Sequence, residues 1–357
     1  MFYTRKEISE RIGLANACNG IAQIISSFLQ FGLAHVATKH GLDQWQWFMI
    51  AIALTTFIIS VVFFYFFPDN PTTAWFLSHT ERILAVRRVR ENQNGIETKV
   101  FKKYQLVEAL TDPKCWLFLV FMTFALLEGG VATQYSLIIK SFGFTELQTT
   151  LLGIPSGFSQ IIGIFAACCA LRYFPNSRAW ISIISWAPSI IACFMQLCIP
   201  FSHRTAHLIG MFLMYIGVQP SIVIGMSFAV SNTAGHTKKT TASAMIFIGW
   251  SLGNALGSQY WLDKYKPDNR VPWGIVLLSC LMSMLLMYIM RMMFLKENKR
   301  RDALRVEAQR TGEGLAAFEE HMMVETVETD GKVRVRRVDK MYLDLTDHEN
   351  LAFRYVL

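Results

Sequence analysis

The sequence predicts an all-α fold, a multi-pass membrane helical bundle of about eight transmembrane helices, and three observations predict it. Hydrophobic residues make up 53% of the 357 and charged residues only 17%, with a mean hydropathy of +0.33, whereas a soluble domain carries roughly a quarter charged residues. The charges are also unevenly spread: residues 12–38, 44–68, 115–127, 147–171 and 179–203 hold none. An apolar run of about 20 residues spans a bilayer, and each span must be a helix because lipid cannot satisfy an open backbone. Finally, Lys and Arg gather in alternate loops, the pattern that sets membrane orientation.

Placing connections at charge clusters gives spans at 12–36, 46–67, 115–139, 148–170, 178–200, 207–230, 241–262 and 272–295. Arg5, Lys6 and Arg11 precede the first span. The 69–114 loop holds Arg82, Arg87, Arg88, Arg90, Lys99, Lys102, Lys103 and Lys114, and the last span ends at Lys296, Lys299, Arg300 and Arg301. That face is expected to be cytoplasmic, with both termini inside. The opposite loops carry Lys39, Lys140 and Arg204, then Lys264, Lys266 and Arg270. No short apolar core with a small-residue cleavage site follows Met1, so the first span is expected to do the targeting.

Two hydrophilic segments interrupt the spans, giving expected units of 1–68, 69–114, 115–295 and 296–357. Pro68-Asp69-Asn70-Pro71 ends the second helix. Ser78 or Thr80, followed by Glu81 and by Ile83, Leu84, Val86 and Val89, then predicts a capped amphipathic helix stopped by Asn94-Gly95. From about residue 296 the chain reads as a mixed-charge tail with some helix and a short strand pair around Lys332 to Met341.

Polar residues within spans are informative because each is costly in hydrocarbon unless it faces a partner helix or a water-filled path. Asn16, Asn19, Gln23, Ser26 or Ser27, and Gln30 recur at steps of three and four, which places them on one helical face. That stripe lines a cavity or hydrogen-bonds a neighbouring helix. Glu128, beside Gly129 and Gly130, is the sole acidic residue well inside a span. An intramembrane carboxylate is a functional hypothesis: its ionised form is disfavoured among apolar groups, so it could take up and lose a proton, or it could lie solvated and passive near a cavity mouth. Gln134 and Tyr135 lie about two turns further on. Ser156, Gln160 and Gly163 form a weaker set, as do Gln219, Pro220 and Ser221, and Trp250, Ser251, Asn254 and Ser258. Carboxamides and hydroxyls of this kind orient a polar solute without trapping it. Gly249, Gly253 and Gly257, and Gly153 with Gly157, are expected to let helix backbones approach closely. Pro155 and Pro220 are candidate kink positions.

Enzyme and nucleic-acid readings fare poorly. No P-loop or dinucleotide fingerprint occurs. His203 and His207 have H-x-x-x-H spacing but no carboxylate nearby, so no metal site is expected. The seven cysteines lie mostly in apolar runs, as small hydrophobes. No cofactor is expected, and the net charge of +8 belongs to loops rather than to a nucleic-acid surface.

Particular strings carry a resemblance. Phe67-Pro68-Asp69-Asn70-Pro71, Ala74-Trp75-Phe76-Leu77, Glu81-Arg82, Arg87 to Gly95, Phe101 to Gln105 and Glu108 to Lys114 closely resemble the central loop of the fungal allantoate permease family of major facilitator transporters. Asn232 to Lys239, leading to Ile248-Gly249 and Gly253-Asn254, and the terminal Phe353-Arg354-Tyr355-Val356-Leu357 agree with it. The resemblance implies a major facilitator fold of two six-helix halves in the plasma membrane, moving small organic anions such as allantoate, ureidosuccinate or vitamin carboxylates together with a proton. Tyr3 to Gly13 resembles the family's loop between its fourth and fifth helices, so the chain is expected to be N-terminally truncated: 1–68 would hold the last two helices of the N-terminal half and 115–295 the C-terminal half. On this reading Asn19, Gln23, Gln134, Gln160, Gln219 and Asn254 line the substrate cavity and Glu128 couples the proton. The alternative is a transport-incompetent membrane fragment or assembly partner.

Overall fold

The computed structural model describes residues 5–34, 43–68, 74–88, 101–174, 176–266, 268–312, 318, 321–327, 333–339 and 344–357. The first two spans form α1 (Arg5–Ala34) and α2 (Gln44–Phe66). Helices α3 (His79–Arg88) and α4 (Lys103–Thr111) follow. Ser78 is the residue that caps α3: Glu81 accepts from the Ser78 N–H at 2.9 Å and hydroxyl at 2.8 Å. The expected stop of this helix at Asn94-Gly95 lies outside the described residues. Helix α4, unexpected from the sequence, ends before Asp112, which caps the next helix by accepting from the Lys114 N–H.

The third span is one helix in sequence but three in space: α5 (Pro113–Leu127), α6 (Gly129–Thr133) and α7 (Tyr135–Ser141), interrupted at Glu128 and Gln134. Gly129-Gly130 makes continuous helix costly at the first break. Helix α8 (Glu146–Tyr173) crosses next, capped by the reciprocal Thr145–Gln148 pair. The fifth span is also split, into α9 (Arg178–Ser185) and α10 (Ala187–Cys198), at Trp186. Pro188, which cannot donate to an earlier carbonyl, stands just after that break. Pro155 and Pro220 instead lie inside the unbroken helices α8 and α11 (Arg204–Ser231).

Helix α12 (His236–Gln259) is the seventh expected span. Among the described residues, seven helical segments are long and apolar enough to cross a membrane. Helix α12 is long enough, but one face is glycine and small polar residues, because that face packs directly on α5. A methyl group at Gly253 or Gly257 would stand 2.5 Å from the carbonyl oxygens of Thr123 and Leu127, and Gly249 meets the Leu119 carbonyl in the same way. The four-residue glycine ladder therefore seats one helix on the carbonyls of another, as expected. Gly20 and Gly157 make the equivalent crossing of α1 on α8.

Helix α13 (Arg270–Thr311) continues well past residue 295. Its 42 residues span roughly 63 Å, about twice the hydrocarbon thickness, so its charged second half stands outside the membrane. Strands β1 (His321–Val327) and β2 (Val333–Asp339) pair antiparallel with Val324 opposite Arg336. The second strand falls where a strand was expected; its partner starts earlier. This hairpin is the exception to an otherwise all-helical architecture among the described residues.

The core lies between α5, α10, α11 and α13, where Phe118, Phe121, Trp186, Phe228, Trp273 and Phe294 are buried. Helix α2, by contrast, buries none of Trp45–Phe66. Apolar on all sides, it suits contact with hydrocarbon or with other helices. Residues 344–357 return to the charged end of the bundle, where Phe353 and Tyr355 are buried and Tyr355 stacks on Phe294 at 4.9 Å.

Candidate functional site

A cavity of about 360 Å³ lies between α1, α5–α8, α11 and α12. Helix α1 presents Asn19, Gln23, Ser27 and Gln30 to it. These positions follow each other at steps of three and four, so one face of a helix delivers four polar side chains to one space. Gln160 of α8, together with Tyr215 and Gln219 of α11, faces the same space.

The break at Gln134 brings Tyr135 and Ser136 to the cavity. The Tyr135 hydroxyl stands 2.6 Å from the Ser156 hydroxyl and donates to the Leu152 carbonyl at 2.7 Å, which fastens α7 to α8 at the wall. The Tyr135 ring meets Tyr215 edge-on at 6.1 Å. Trp250 of α12 and Leu126 of α5 supply apolar surface. The wall thus combines carboxamides, hydroxyls and aromatic faces, a set that orients a polar solute by hydrogen bonds.

Four of the seven residues singled out from sequence, Asn19, Gln23, Gln160 and Gln219, meet at this cavity. The other three stand elsewhere. Gln134 sits at the junction of α6 and α7, where its backbone breaks the helix. Asn254 packs against Gly129 and donates to the Trp250 carbonyl of its own helix at 3.0 Å. Glu128, 6% exposed, occupies the first break beside Gly129 and Gly130, and forms no ion pair among the described residues. Glu128 and Gln134 occupy the two breaks of the third span, whereas Asn254 lies in the unbroken helix α12. Sequence reasoning passed over Tyr215, Ser136 and Thr149 as wall residues, because lone hydroxyls in apolar helices carry no periodic signal.

The H-x-x-x-H pair does not form a metal centre. His207 is buried, with its Nδ1 at 2.7 Å from Gln196 Oε1 and its Nε2 facing the Pro200 carbonyl at 3.3 Å.

A second polar cluster lies at the charged end. Ligand atoms of Asp112, Asp347 and His348 come within 4.8 Å of one another. The space between the two carboxylates is occupied by lysines, however: Lys238 Nζ is 2.8 Å from Asp112 and 3.0 Å from Asp347, and Lys114 pairs with both. Two ammonium groups do there what a cation would. Burial pushes the Asp112 carboxyl up, but His348, Lys114 and Lys238 outweigh it and hold it well below the usual range. Asp347 is likewise held low, with Lys114 and Lys238 overcoming its burial.

Comparison with known proteins supplies the family. The Major Facilitator Superfamily model matches residues 1–258. An uncharacterized transporter of Schizosaccharomyces pombe is 31% identical over 99% of this chain and 63% of its own length. The allantoate permease of Saccharomyces cerevisiae is 28% identical over 100% of this chain and 63% of its own, and the thiamine pathway transporter of the same yeast is 31% identical over the same shares. The chain spans less than two thirds of the length of these curated relatives. Given the family match, the membrane-length helices and a polar cavity between them, this chain belongs to the major facilitator superfamily.

Proposed function

We propose that the chain serves transmembrane transport of a small organic anion bearing amide or ureido groups, coupled to a proton. The observation that carries this reading is the convergence of Asn19, Gln23, Gln160 and Gln219 from three helices on one cavity of about 360 Å³. A carboxamide offers two N–H donors and a carbonyl acceptor. Four of them match a solute that itself alternates donors and acceptors, as allantoate- or ureidosuccinate-like molecules and some vitamin carboxylates do. The Ser136 hydroxyl adds a donor suited to a carboxylate. The name of the yeast allantoate permease supports the same substrate class.

Proton coupling is assigned to Glu128. It is the intramembrane carboxylate, it is buried, and it stands at a helix break. A buried acid at a break can change protonation with a small local movement, while a rigid helix interior would have to carry the charge into hydrocarbon. The lysine- and arginine-rich end is assigned to the cytoplasmic face of the plasma membrane, with both termini inside.

A second reading, a transport-incompetent fragment or assembly partner, is favoured by one observation: α2 buries none of Trp45–Phe66. Alternating access requires two halves that rock about a shared site, and this bare surface is available to further helices.

Uptake of radiolabelled allantoate and ureidosuccinate by cells expressing the endogenous gene product decides between them. The transport reading expects saturable uptake that rises as the outside is acidified and falls at least tenfold in Gln160→Ala. Absence of uptake with the protein present in the membrane would overturn it in favour of the assembly partner.

A further inference from the structure

The last fourteen residues are held with a specificity that the rest of the charged end does not show. Arg301, 2% exposed on α13, donates to three strap carbonyls: Asn350 at 3.2 Å, Phe353 at 2.8 Å and Asp347 at 2.9 Å. A buried guanidinium satisfied by three carbonyls of one segment is a recognition site for that segment's backbone. Two asparagines repeat the device on adjacent residues. Asn298 donates to the Tyr355 carbonyl at 2.8 Å and accepts its N–H at 3.0 Å; Asn232 donates to the Val356 carbonyl at 3.2 Å and accepts its N–H at 2.7 Å. Each closes a two-point clamp of the kind a neighbouring strand would make. The Leu357 carbonyl accepts from the Arg178 N–H at the start of α9 at 2.9 Å.

The acidic side chains of the segment meet donors and cations of the bundle. Asp344 accepts the His236 N–H at 2.6 Å, one of the free donors at the start of α12, and pairs with Lys102 at 2.9 Å. Asp347 is fully buried between Lys114 and Lys238, accepts the Tyr355 hydroxyl at 2.7 Å, and stands 3.4 Å from the Ala234 N–H. Breaking a buried pair leaves an uncompensated charge, so Asp347 cannot leave without cost to both lysines.

These lysines also lie on the helices that line the cavity. Lys114 stands twelve residues from Leu126 on α5, and Lys238 twelve residues from Trp250 on α12, about 18 Å of helix in each case. Helix α12 rests on α5 through the glycine ladder, so whatever fixes their ends fixes one wall of the cavity.

We infer that Asp344–Leu357 is a strap that docks into a built peptide site formed by α4, α5, α9, α11, α12 and α13, fastens these helix ends into one block, and undocks as a unit. The helix ends at 234–240 then loosen when the strap leaves, while the body of the bundle stays folded. This inference stands independently of what the cavity binds.

Hydrogen–deuterium exchange of the full chain in lipid nanodiscs tests it without any substrate. In the wild type, amides of 344–357 should be protected, as should those of 234–240. Asp347→Asn should raise exchange in both segments together, by about tenfold or more, and leave 150–170 of α8 unchanged. Asn232→Ala combined with Asn298→Ala, which removes the clamps and keeps every charge, should do the same and covers the case in which Asp347→Asn fails to accumulate. Coil-like exchange of 344–357 in the wild type would overturn docking. Exchange that rises in 344–357 with 234–240 unmoved would overturn the fastening role. A rise across all segments would overturn release as a unit and make the strap part of the folding core.

Discussion

The hydroxyls of Tyr135 and Ser156 stand 2.6 Å apart and join the first residue of a broken helix to the middle of an unbroken one. Tyr135 reaches this position because the helix stops at Gln134 and restarts. Tyr135→Phe should cost about 1 kcal/mol of stability, since Ser156 keeps its bond to the Leu152 carbonyl at 3.2 Å. A double-mutant cycle with Ser156→Ala, read by thermal unfolding in detergent, should return a coupling of about 0.5–1.5 kcal/mol. Additive single effects would show that the two hydroxyls do not hold the wall together.

Glu128→Gln keeps the size and hydrogen-bonding reach of the side chain and removes its titration. Uptake by the wild type should vary with external pH, and the variant should show a flattened profile at comparable membrane abundance. A profile that keeps its shape in the variant would remove Glu128 from proton coupling.

The glycine ladder predicts a sharp contrast between two alanine substitutions. At Gly253 the added methyl meets the Thr123 carbonyl at 2.5 Å and the Leu126 Cβ at 2.7 Å, so Gly253→Ala should destabilise by about 1–3 kcal/mol. At Gly274 nothing lies within 4 Å, and Gly274→Ala should be neutral or stabilise by up to about 1 kcal/mol through the unfolded chain. Thermal melts of the two variants side by side provide the check; equal effects would mean that α12 is not seated on α5 through this face.

Strap docking should be insensitive to pH over the neutral range. Asp344, like Asp112 and Asp347, is held below the usual carboxylate range, because the His236 N–H and Lys102 outweigh its burial. A carboxylate lowered on folding adds stability that is fully present above its unfolded value, about 3.9, and is lost as pH falls through the folded value. Protection of 344–357, corrected for intrinsic exchange, should therefore stay level from about pH 5 to 8 and fall in stronger acid. A loss beginning near neutrality would show that these three carboxylates do not set the pH dependence of docking.

Much of this architecture was legible because membrane helices obey short-range rules. Charge-free runs located the spans, and four-residue glycine steps marked a close helix contact, whose partner α5 only the fold identifies. Helical periodicity placed Asn19, Gln23, Ser27 and Gln30 on one cavity wall. The same periodicity does not by itself place Gln134 or Asn254. It assumes an unbroken helix, and the third span breaks at Glu128 and Gln134, while Asn254 turns toward Gly129 and not toward the cavity. Pro155 and Pro220 signalled kinks, yet the breaks fall at Glu128, Gln134 and Trp186.

By itself the sequence determined which segments are apolar enough to span and where several helices start, because hydropathy and capping pairs such as Ser78 with Glu81 are local properties of the chain. Tertiary structure alone decided which polar groups share a space. Asp347 meets Lys114 across 233 residues, and Asn232 reads the backbone of Val356 across 124. Partners at that separation are chosen by the cost of leaving a buried charge or amide unsatisfied, a cost that exists only once the helices have packed.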